Sequence, residues 1–293
     1  YQTKPSDLKL MIDNPNVRVF SLSNTEGIVD VALGLSEGSC EANLRNKIKE
    51  NKRRLKDQFL PQSLLTHSGV ENAFEFKYLR LVRIAVHPDF SSLGIGSLFL
   101  NNISENIGHA YDFLGASFGA NKEVLNFWLK NNFVIARVGF KQDKASGEHS
   151  ALVLKALNQL EEGSASAVLN RINKEFYRSF SYMLTDEYSH LAPELVWLIL
   201  HYQTIEFCKP LSITDKKNVA DFAEQRRLYS NCIYSLHLWL ALHCREAFDQ
   251  KVLTLIERIL QKRSVESMCK KYHFTGKKAF NQFLVDYIKV SSV

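Results

Sequence analysis

The sequence predicts an α/β (α+β) fold, with a mixed sheet and helices on both faces, followed by a mostly α-helical domain. Two observations carry this prediction. In the first 156 residues, short stretches rich in apolar and β-branched residues alternate with stretches of helical spacing. Beyond residue 166, almost every apolar pattern has helical spacing. Strands with interposed helices favour a sheet that is covered on both sides.

The individual elements follow from local pattern. A proline near its start indicates a short helix at 5–12. Strands are predicted at 17–22, 28–35, 79–86, 113–118, 133–140 and 151–156, with helices at 41–56, 60–67, 94–107 and 122–131. The later helices are predicted at 167–182, 193–202, 215–228, 232–245, 251–261 and 277–288. The small, polar stretch 161–166 indicates a linker, so we expect domains at 1–160 and 167–293.

The most informative segment runs from a strand through a glycine-containing turn into a helix. Pro88 ends the strand, because proline cannot donate to a sheet ladder, and Gly94 and Gly96 precede the helical pattern. Backbone N–H groups at such a helix start point outward and can bind a diphosphate. A P-loop is excluded because Ser97 and Leu98 follow Gly96, and the three-glycine dinucleotide fingerprint is missing.

Four segments resemble the GNAT superfamily of N-acetyltransferases and, within it, the bacterial tRNA(Met) cytidine acetyltransferases. They are the strand end and glycine loop at 83–97, the segment 56–64, the segment 116–119 with the aromatic residues of 127–133, and the turn at 145–147. The resemblance covers residues 1 to about 156. It implies acetyl transfer from acetyl-CoA to N4 of the wobble cytidine of elongator tRNA(Met), in the cytoplasm. In that family a helicase-like module precedes this part and uses ATP, and we expect this chain to lack it.

The resemblance also implies a set of coenzyme contacts on the strand end, the loop and a later helix. They are Ile84, Ala85, Val86, Ser91, Ser92, Leu93, Gly94, Ile95, Gly96, Ser97, Glu123 and Lys130. Three positions depart from the family pattern. Ser91 stands where Gln or Arg is usual, Lys130 replaces an arginine and loses its bidentate fork, and Asn131-Asn132 replaces a Cys-Gly-like pair. Asparagine tolerates the left-handed backbone that ends a helix.

The reaction needs an oxyanion donor and a proton acceptor. Cytosine N4 is a weak nucleophile, so positioning it near the thioester supplies much of the acceleration. A backbone N–H near Val86 or His87 is the natural oxyanion donor. His87 is the candidate general base, because histidine titrates near neutral pH. The alternatives are a structural His87 that caps the strand, with Glu123 or water as the base, and His149 has less support.

A basic run in the first part favours a polyanion such as RNA. The formal net charge is +6, and the candidate RNA-binding residues of this run are Arg45, Lys49, Lys52, Arg53, Arg54 and Lys56. A solvated helix face is the alternative interpretation. Smaller basic groups with aromatic neighbours in the second part indicate that the helical tail also binds tRNA.

Other classes of site have little support in the sequence. No apolar run approaches the roughly 20 residues that span a bilayer, so we expect no membrane partner. The five cysteines form no C-x-x-C pair, and we expect no metal. Two rival functions stay open. One is an acetyltransferase of the same fold that acts on a protein or small-molecule amine, and the other is a non-catalytic RNA-binding module.

Overall fold

The computed structural model describes residues 13–157, 164–246 and 248–291. The helix predicted at 5–12 lies outside these residues. The chain divides into two compact units, Tyr1–Asn173 and Lys174–Val293. Each unit is described by itself below.

The first unit contains a six-stranded sheet. Its strands are β1 (Val17–Asn24), β2 (Gly27–Glu37), β3 (Tyr78–Val86), β4 (Phe113–Ala120), β5 (Val134–Gln142) and β6 (His149–Ala156). The order across the sheet is β1-β2-β3-β4-β6-β5. The β3–β4 pair is parallel, and the other neighbouring pairs are antiparallel. The mixed sheet that the sequence predicts is therefore present.

Four helices connect these strands: α1 (Ala42–Lys49), α2 (Phe59–His67), α3 (Ile95–Ile107) and α4 (Lys122–Lys130). The prediction of one helix over 41–56 is wrong beyond Lys49. Asn51 has a φ of 57°, and the N–H groups of Lys52 and Arg53 both donate to the Lys47 carbonyl. A left-handed residue with such back-bonding ends a helix, so the second half of the basic run is irregular.

A buried ion pair lies inside the first unit. The Glu37 side chain is fully buried at the end of β2 and lies 2.5 Å from Arg80 Nε on β3. The Leu60 N–H donates to the other Glu37 oxygen over 2.7 Å, which ties the start of α2 to the sheet. Burial raises the pKa of Glu37, and Arg80 opposes that rise.

Helix α5 (Ala165–Met183) begins inside the predicted linker. Ala165 and Ile172 are buried in the core cluster of the first unit, and the Asn173 side chain donates to the Ile135 carbonyl over 3.2 Å. Small residues such as Ala and Ser resemble a linker by composition, but they also suit a helix that packs closely. The predicted linker residues 161–163 lie outside the described residues.

The second unit is helical in its described residues. After α5 come α6 (Pro193–His201), α7 (Ile213–Ala223), α8 (Tyr229–His243), α9 (Gln250–Leu255), α10 (Val265–Tyr272) and α11 (Lys277–Ser291). A π-helical turn, Ile256–Leu260, continues α9. The predicted helix at 215–228 ends early because Gln225 is left-handed, with a φ of 57°. Helix α10 is absent from the predictions.

Candidate active site

A notch opens in the sheet between β3 and β4. The two strands pair from Tyr78, opposite Phe113, to Leu81, opposite Ala116. Both strands continue beyond this point without pairing to each other in the described residues, while β4 keeps β6 as its neighbour up to Ala120. The second half of β3 is consequently not fully buried, although β3 lies in the middle of the sheet. The notch can take an extended ligand that hydrogen-bonds to an unpaired strand.

The backbone N–H groups at the end of β3 point alternately towards β2 and towards the notch. The His87 N–H donates to the Val29 carbonyl over 2.8 Å, towards β2. Because hydrogen-bonding directions alternate along an antiparallel strand, the N–H groups of Val86 and Ile84 point the other way, into the notch. Of the two candidate oxyanion donors, the N–H of His87 is thus engaged within the sheet. The N–H of Val86 faces the notch.

The loop after β3 leads directly to the start of α3. A short 3₁₀ turn, Pro88–Phe90, follows the strand, and the Ser91 N–H donates to the Pro88 carbonyl. Ser92 and Gly94 both have left-handed backbones, with φ values of 64° and 80°. Residues 91–94 are exposed. This backbone turns the chain so that the loop N–H groups lie at the surface.

The N–H groups of this loop can accept an anion. In the part of the chain that the structure describes, the N–H groups of residues 92–96 have no hydrogen-bond acceptor. The N–H groups of Ser97 and Leu98 are different, since both donate to the Gly94 carbonyl over 3.1 Å. The N–H groups of 92–96 are therefore available to an anion, whereas Ser97 has only its side-chain hydroxyl to offer.

Gly96 is where the loop contacts α4. A Cβ atom on Gly96 would lie 3.2 Å from Val86 Cγ2 and 3.4 Å from the Phe127 ring. The contact with Val86 would be closer than a Cβ atom usually makes. The Asn131 side chain donates to Ser97 Oγ over 3.1 Å and to the Phe127 carbonyl over 2.7 Å. The end of α4 is therefore held against the start of α3. Asn132 takes the left-handed backbone, with a φ of 64°.

Glu123 and Lys130 lie on the same face of α4 as Phe127. They are spaced at i, i+4 and i+7, which places three side chains in one row on a helix. Both charged residues are exposed, and neither has an ion-pair partner in the described residues. Because Phe127 lies next to Gly96, the structure brings Glu123 and Lys130 to the helix face beside the loop.

The two histidine candidates have different surroundings. His87 is exposed, and its Nδ1 accepts from the Asp89 N–H over 3.4 Å and lies 3.7 Å from the Asp89 carboxylate. His149 is buried, and its Nδ1 lies 2.8 Å from the Gly139 carbonyl. His87 can reach solvent and a substrate, whereas His149 is held in the sheet.

Asp30 is a buried acid that the sequence reasoning missed. Its side chain is 1% exposed, and neither carboxylate oxygen has a partner in the described residues. Burial raises the pKa of Asp30 to about 6. The signal in the sequence is an acid with apolar neighbours on both sides in the interior of β2, which is an unusual place for an unpaired carboxylate.

The predicted RNA-binding residues divide into two groups. Arg45 lies 3.3 Å from Glu75, Lys49 lies 2.7 Å from Glu71, and Lys52 lies 2.8 Å from Glu50. The second group is exposed and has no acidic partner within the described residues; it comprises Arg53, Arg54 and Lys56. Glu50 is the only acid within the basic run itself. Glu71 and Glu75 approach the run only in the folded chain, so they could not be recognised as partners from the sequence.

The described residues contain neither a membrane-spanning helix nor a cluster of metal ligands. No helix there is both long enough and apolar enough to cross a membrane. No group of three or more His, Cys, Asp or Glu side chains in residues 13–157, 164–246 and 248–291 is arranged to hold a metal ion.

Comparison with known proteins identifies the family. The model of the family GNAT acetyltransferase 2 matches residues 1–109 and 97–158, more than half of the chain. The chain belongs to this family. The mixed sheet of this GNAT acetyltransferase 2 protein, the notch and the glycine loop agree with that membership, so the predicted GNAT fold is confirmed.

Two curated relatives match nearly the whole chain. The tRNA(Met) cytidine acetyltransferase TmcA of Nitrosococcus halophilus is 32% identical over 284 residues, which cover 94% of this chain and 38% of that protein. The protein of the same name from Vibrio cholerae is 28% identical over 282 residues, with 96% and 38% covered. The chain thus spans less than half the length of these relatives. The crystal structure of the ribosomal-protein-S18-alanine N-acetyltransferase from Escherichia coli matches with a TM-score of 0.37 and 12% identity, over 55% of this chain and 82% of that one.

Proposed function

We propose that this chain is the acetyl-transfer part of a longer enzyme that acetylates N4 of the wobble cytidine in elongator tRNA(Met). The single observation that carries the acetyl-transfer part is the notch between β3 and β4, with the unpaired N–H groups of 92–96 beside it. The cytidine substrate rests on the names of the two curated relatives, which match 94% and 96% of this chain.

Acetyl-CoA fits the residues that are present. The N–H groups of Ser92, Gly94 and Gly96 bind the diphosphate, and the positive end of the α3 dipole adds to the attraction. Lys130 supplies a charge on the neighbouring helix face. The pantetheine arm pairs with the free edge of β3 inside the notch, as a missing strand would.

The reaction centre lies at the end of β3. When bound, acetyl-CoA supplies the thioester that carries the acetyl group. The Val86 N–H donates a hydrogen bond to the oxygen on which negative charge develops. His87, which is exposed next to that N–H, takes the proton that leaves the cytosine amine as the N–C bond forms, and it can pass this proton to the sulfur when the C–S bond breaks and the coenzyme leaves as the thiol. Glu123 is the alternative proton acceptor. It lies on α4 and not at the end of β3, so separate substitutions of His87 and Glu123 distinguish the two candidates.

RNA is held by cations outside the notch. Arg53, Arg54 and Lys56 are exposed without acidic partners in the described residues, so they are free to contact phosphates. The wobble base must leave its stack to reach the thioester, which costs a few kcal/mol. We assign further contacts that offset this cost to the helical second unit.

The last part of the proposal concerns the module that precedes this chain in the longer enzyme and the compartment in which the reaction takes place. The curated relatives extend well beyond the matched region, and we propose that a helicase-like module in that further length uses ATP to prepare the tRNA. Because tRNA modification needs access to cytosolic tRNA, we assign the reaction to the cytoplasm.

The test is acetyl transfer with labelled coenzyme. The chain is incubated with [¹⁴C-acetyl]-CoA and an unmodified elongator tRNA(Met) transcript, and digested nucleosides are separated. We expect label in N4-acetylcytidine, and none when the wobble cytidine is replaced by uridine. Faster labelling of a lysine peptide or a polyamine would favour an amine acetyltransferase. Binding of tRNA with no acetyl-CoA binding would favour a non-catalytic RNA-binding module.

A further inference from the structure

The second unit contains a cavity that the proposed reaction does not use. It has a volume of about 620 Å³, within the range of about 300–1,000 Å³ typical of ligand pockets. Helices α5 and α8 form its long sides, and the chain after α6 closes one end. Four aromatic side chains line it: Tyr177, Tyr182, Phe207 and Tyr234.

Two of these rings stand at the rim of the cavity. Tyr182 is 81% exposed and Tyr234 is 54% exposed, which is unusual for large aromatic side chains on a folded surface. Lys209 is aligned with Tyr234, since its Nζ lies 2.5 Å from the hydroxyl and 5.2 Å from the ring centre. The rim therefore offers flat rings with a cation beside one of them.

The mostly apolar lining of the cavity includes one polar pair, Ser181 and His237. Ser181 Oγ lies 3.0 Å from His237 Nε2, and a further hydrogen bond joins His237 to the backbone of Ile259. Ile259 belongs to the π-helical turn, a feature often found at functional sites. Burial lowers the pKa of His237 to about 4, so its ring is neutral at pH 7. Because the neutral ring donates to the Ile259 backbone and Nε2 then accepts from the Ser181 hydroxyl, the lone pairs of Ser181 Oγ remain to accept a hydrogen bond from a ligand.

The charges around the cavity have one sign. The described residues that line it include Arg178, Lys209 and Lys262 and no carboxylate. Two carboxylates outside the lining act on these cations, since Arg178 lies 2.7 Å from Glu175 and Asp215 interacts with Lys209. A second cavity in the same unit differs, because two acids, Asp249 and Asp286, line it against one cation, Lys251. An anionic ligand is therefore favoured in the first cavity and disfavoured in the second.

We propose that this cavity binds one unstacked nucleotide of the RNA substrate, with the base against Tyr182 and Tyr234 and the phosphate near Lys209. The proposal rests on the proposed function, because it takes RNA as the substrate. Base stacking on aromatic rings and phosphate contacts to cations are the general means of binding single-stranded RNA. Ser181 Oγ accepts a hydrogen bond from an amino or imino group at the edge of the base.

RNA is favoured over a peptide by the combination of features. A hydrophobic peptide anchor would bring no anion to Lys209 and Lys262, and an acidic peptide would not stack on the two exposed tyrosine rings. A nucleotide contacts the rings with its base and the cations with its phosphate.

The experiment measures binding of a fluorescein-labelled single-stranded RNA oligonucleotide and of the tRNA(Met) transcript to the full chain. We expect Tyr182→Ala and Tyr234→Ala each to weaken oligonucleotide binding about five- to 150-fold, the range for loss of one stacked base. Tyr182→Phe keeps the ring and should bind as the unaltered chain does. Ile213→Ala, at an exposed position outside the cavity, is the control for surface changes. Lys209→Gln should flatten the dependence of affinity on salt by about 0.7, one single-strand phosphate contact.

The outcomes separate this proposal from the proposed function. Unchanged oligonucleotide and tRNA affinity in both alanine variants, with normal acetylation of tRNA, would overturn the cavity proposal and leave the proposed function intact. Complete lack of RNA binding by the unaltered chain would overturn both. Equal losses in Tyr182→Phe and Tyr182→Ala would also count against stacking, because the ring alone is the stacking surface.

Discussion

Asp30 of β2 lies directly opposite Val86 of β3, in the part of β3 beyond Leu81 that no longer pairs with β4. Opposite residues of an antiparallel pair share one face of the sheet. Val86 lies close to Gly96 at the start of α3, so Asp30 lies on the face that carries this helix. An acid without a partner in the described residues is thus buried behind the backbone that we assign to acetyl transfer.

The raised pKa of Asp30 predicts a pH dependence of stability. The unfolded chain releases this proton near pH 3.8, whereas the folded protein holds it until about pH 6. The folded state therefore binds more protons between these values, and stability falls as pH rises from about 4 to about 6. Asp30→Asn should remove this fall, which amounts to at most about 3 kcal/mol. Urea unfolding of both proteins at pH 4, 5, 6 and 7 measures it. Parallel curves for the two proteins would contradict the prediction.

Gly94→Ala should weaken acetyl-CoA binding. Gly94 is left-handed with open space around its Cβ position, so alanine disturbs the loop backbone without a steric clash. Gly147→Ala is a matched control, because Gly147 is also left-handed and open but lies in the turn before β6. Both variants should lose about 1–2 kcal/mol of stability through backbone strain. Calorimetry with acetyl-CoA should show a higher Kd for Gly94→Ala alone, and equal Kd values would contradict the loop assignment.

Replacing Arg53, Arg54 and Lys56 together by alanine should weaken tRNA binding and flatten its salt dependence. Each lost phosphate contact lowers the slope of log K against log salt by about 0.7–0.9, so the triple variant should lose about 2–3. The matched control replaces Arg45, Lys49 and Lys52, which have carboxylate partners. Filter binding of the tRNA(Met) transcript at several salt concentrations measures both. A larger loss in the control would move the RNA contact onto α1.

Glu37→Gln should destabilise the first unit strongly. It leaves the Arg80 guanidinium without its carboxylate, and breaking a buried ion pair costs about 3–5 kcal/mol. Lys49→Gln breaks an exposed pair with Glu71 and should cost at most about 1 kcal/mol. Chemical unfolding at pH 7 compares the two. Similar losses in both would indicate that the Glu37–Arg80 pair contributes little.

The sequence predicted the parts of the fold that depend on local pattern. The strand at 79–86 and the helix that follows Gly94 were predictable, because β-branched residues, Pro88 and the glycines act through neighbouring backbone. The end of α1 at Lys49 was not, since Asn51 had to be recognised as a left-handed residue within a helical pattern.

The missed parts of the site depend on contacts between distant segments. Asp30 stands out because folding buries β2 and leaves its carboxylate without a partner in the described residues. Asn131 matters because its side chain donates to Ser97 once α4 packs against the start of α3. Glu71 likewise reaches Lys49 across 22 positions of sequence. The contacts of Asn131 and Glu71 have no signature in the spacing of residues along the chain, and Asp30 is marked in the sequence only by its apolar neighbours.

The notch has a consequence for how the sheet opens. Strands β1, β2 and β3 form one antiparallel half and β4, β6 and β5 another, and the two halves are joined by the short parallel pairing between Tyr78 and Leu81. Amide hydrogens of Ile84 and Val86 should exchange quickly with deuterated water, even though their neighbours on β2 exchange slowly. A ligand lying in the notch would join the two halves into a single exchange-protected unit.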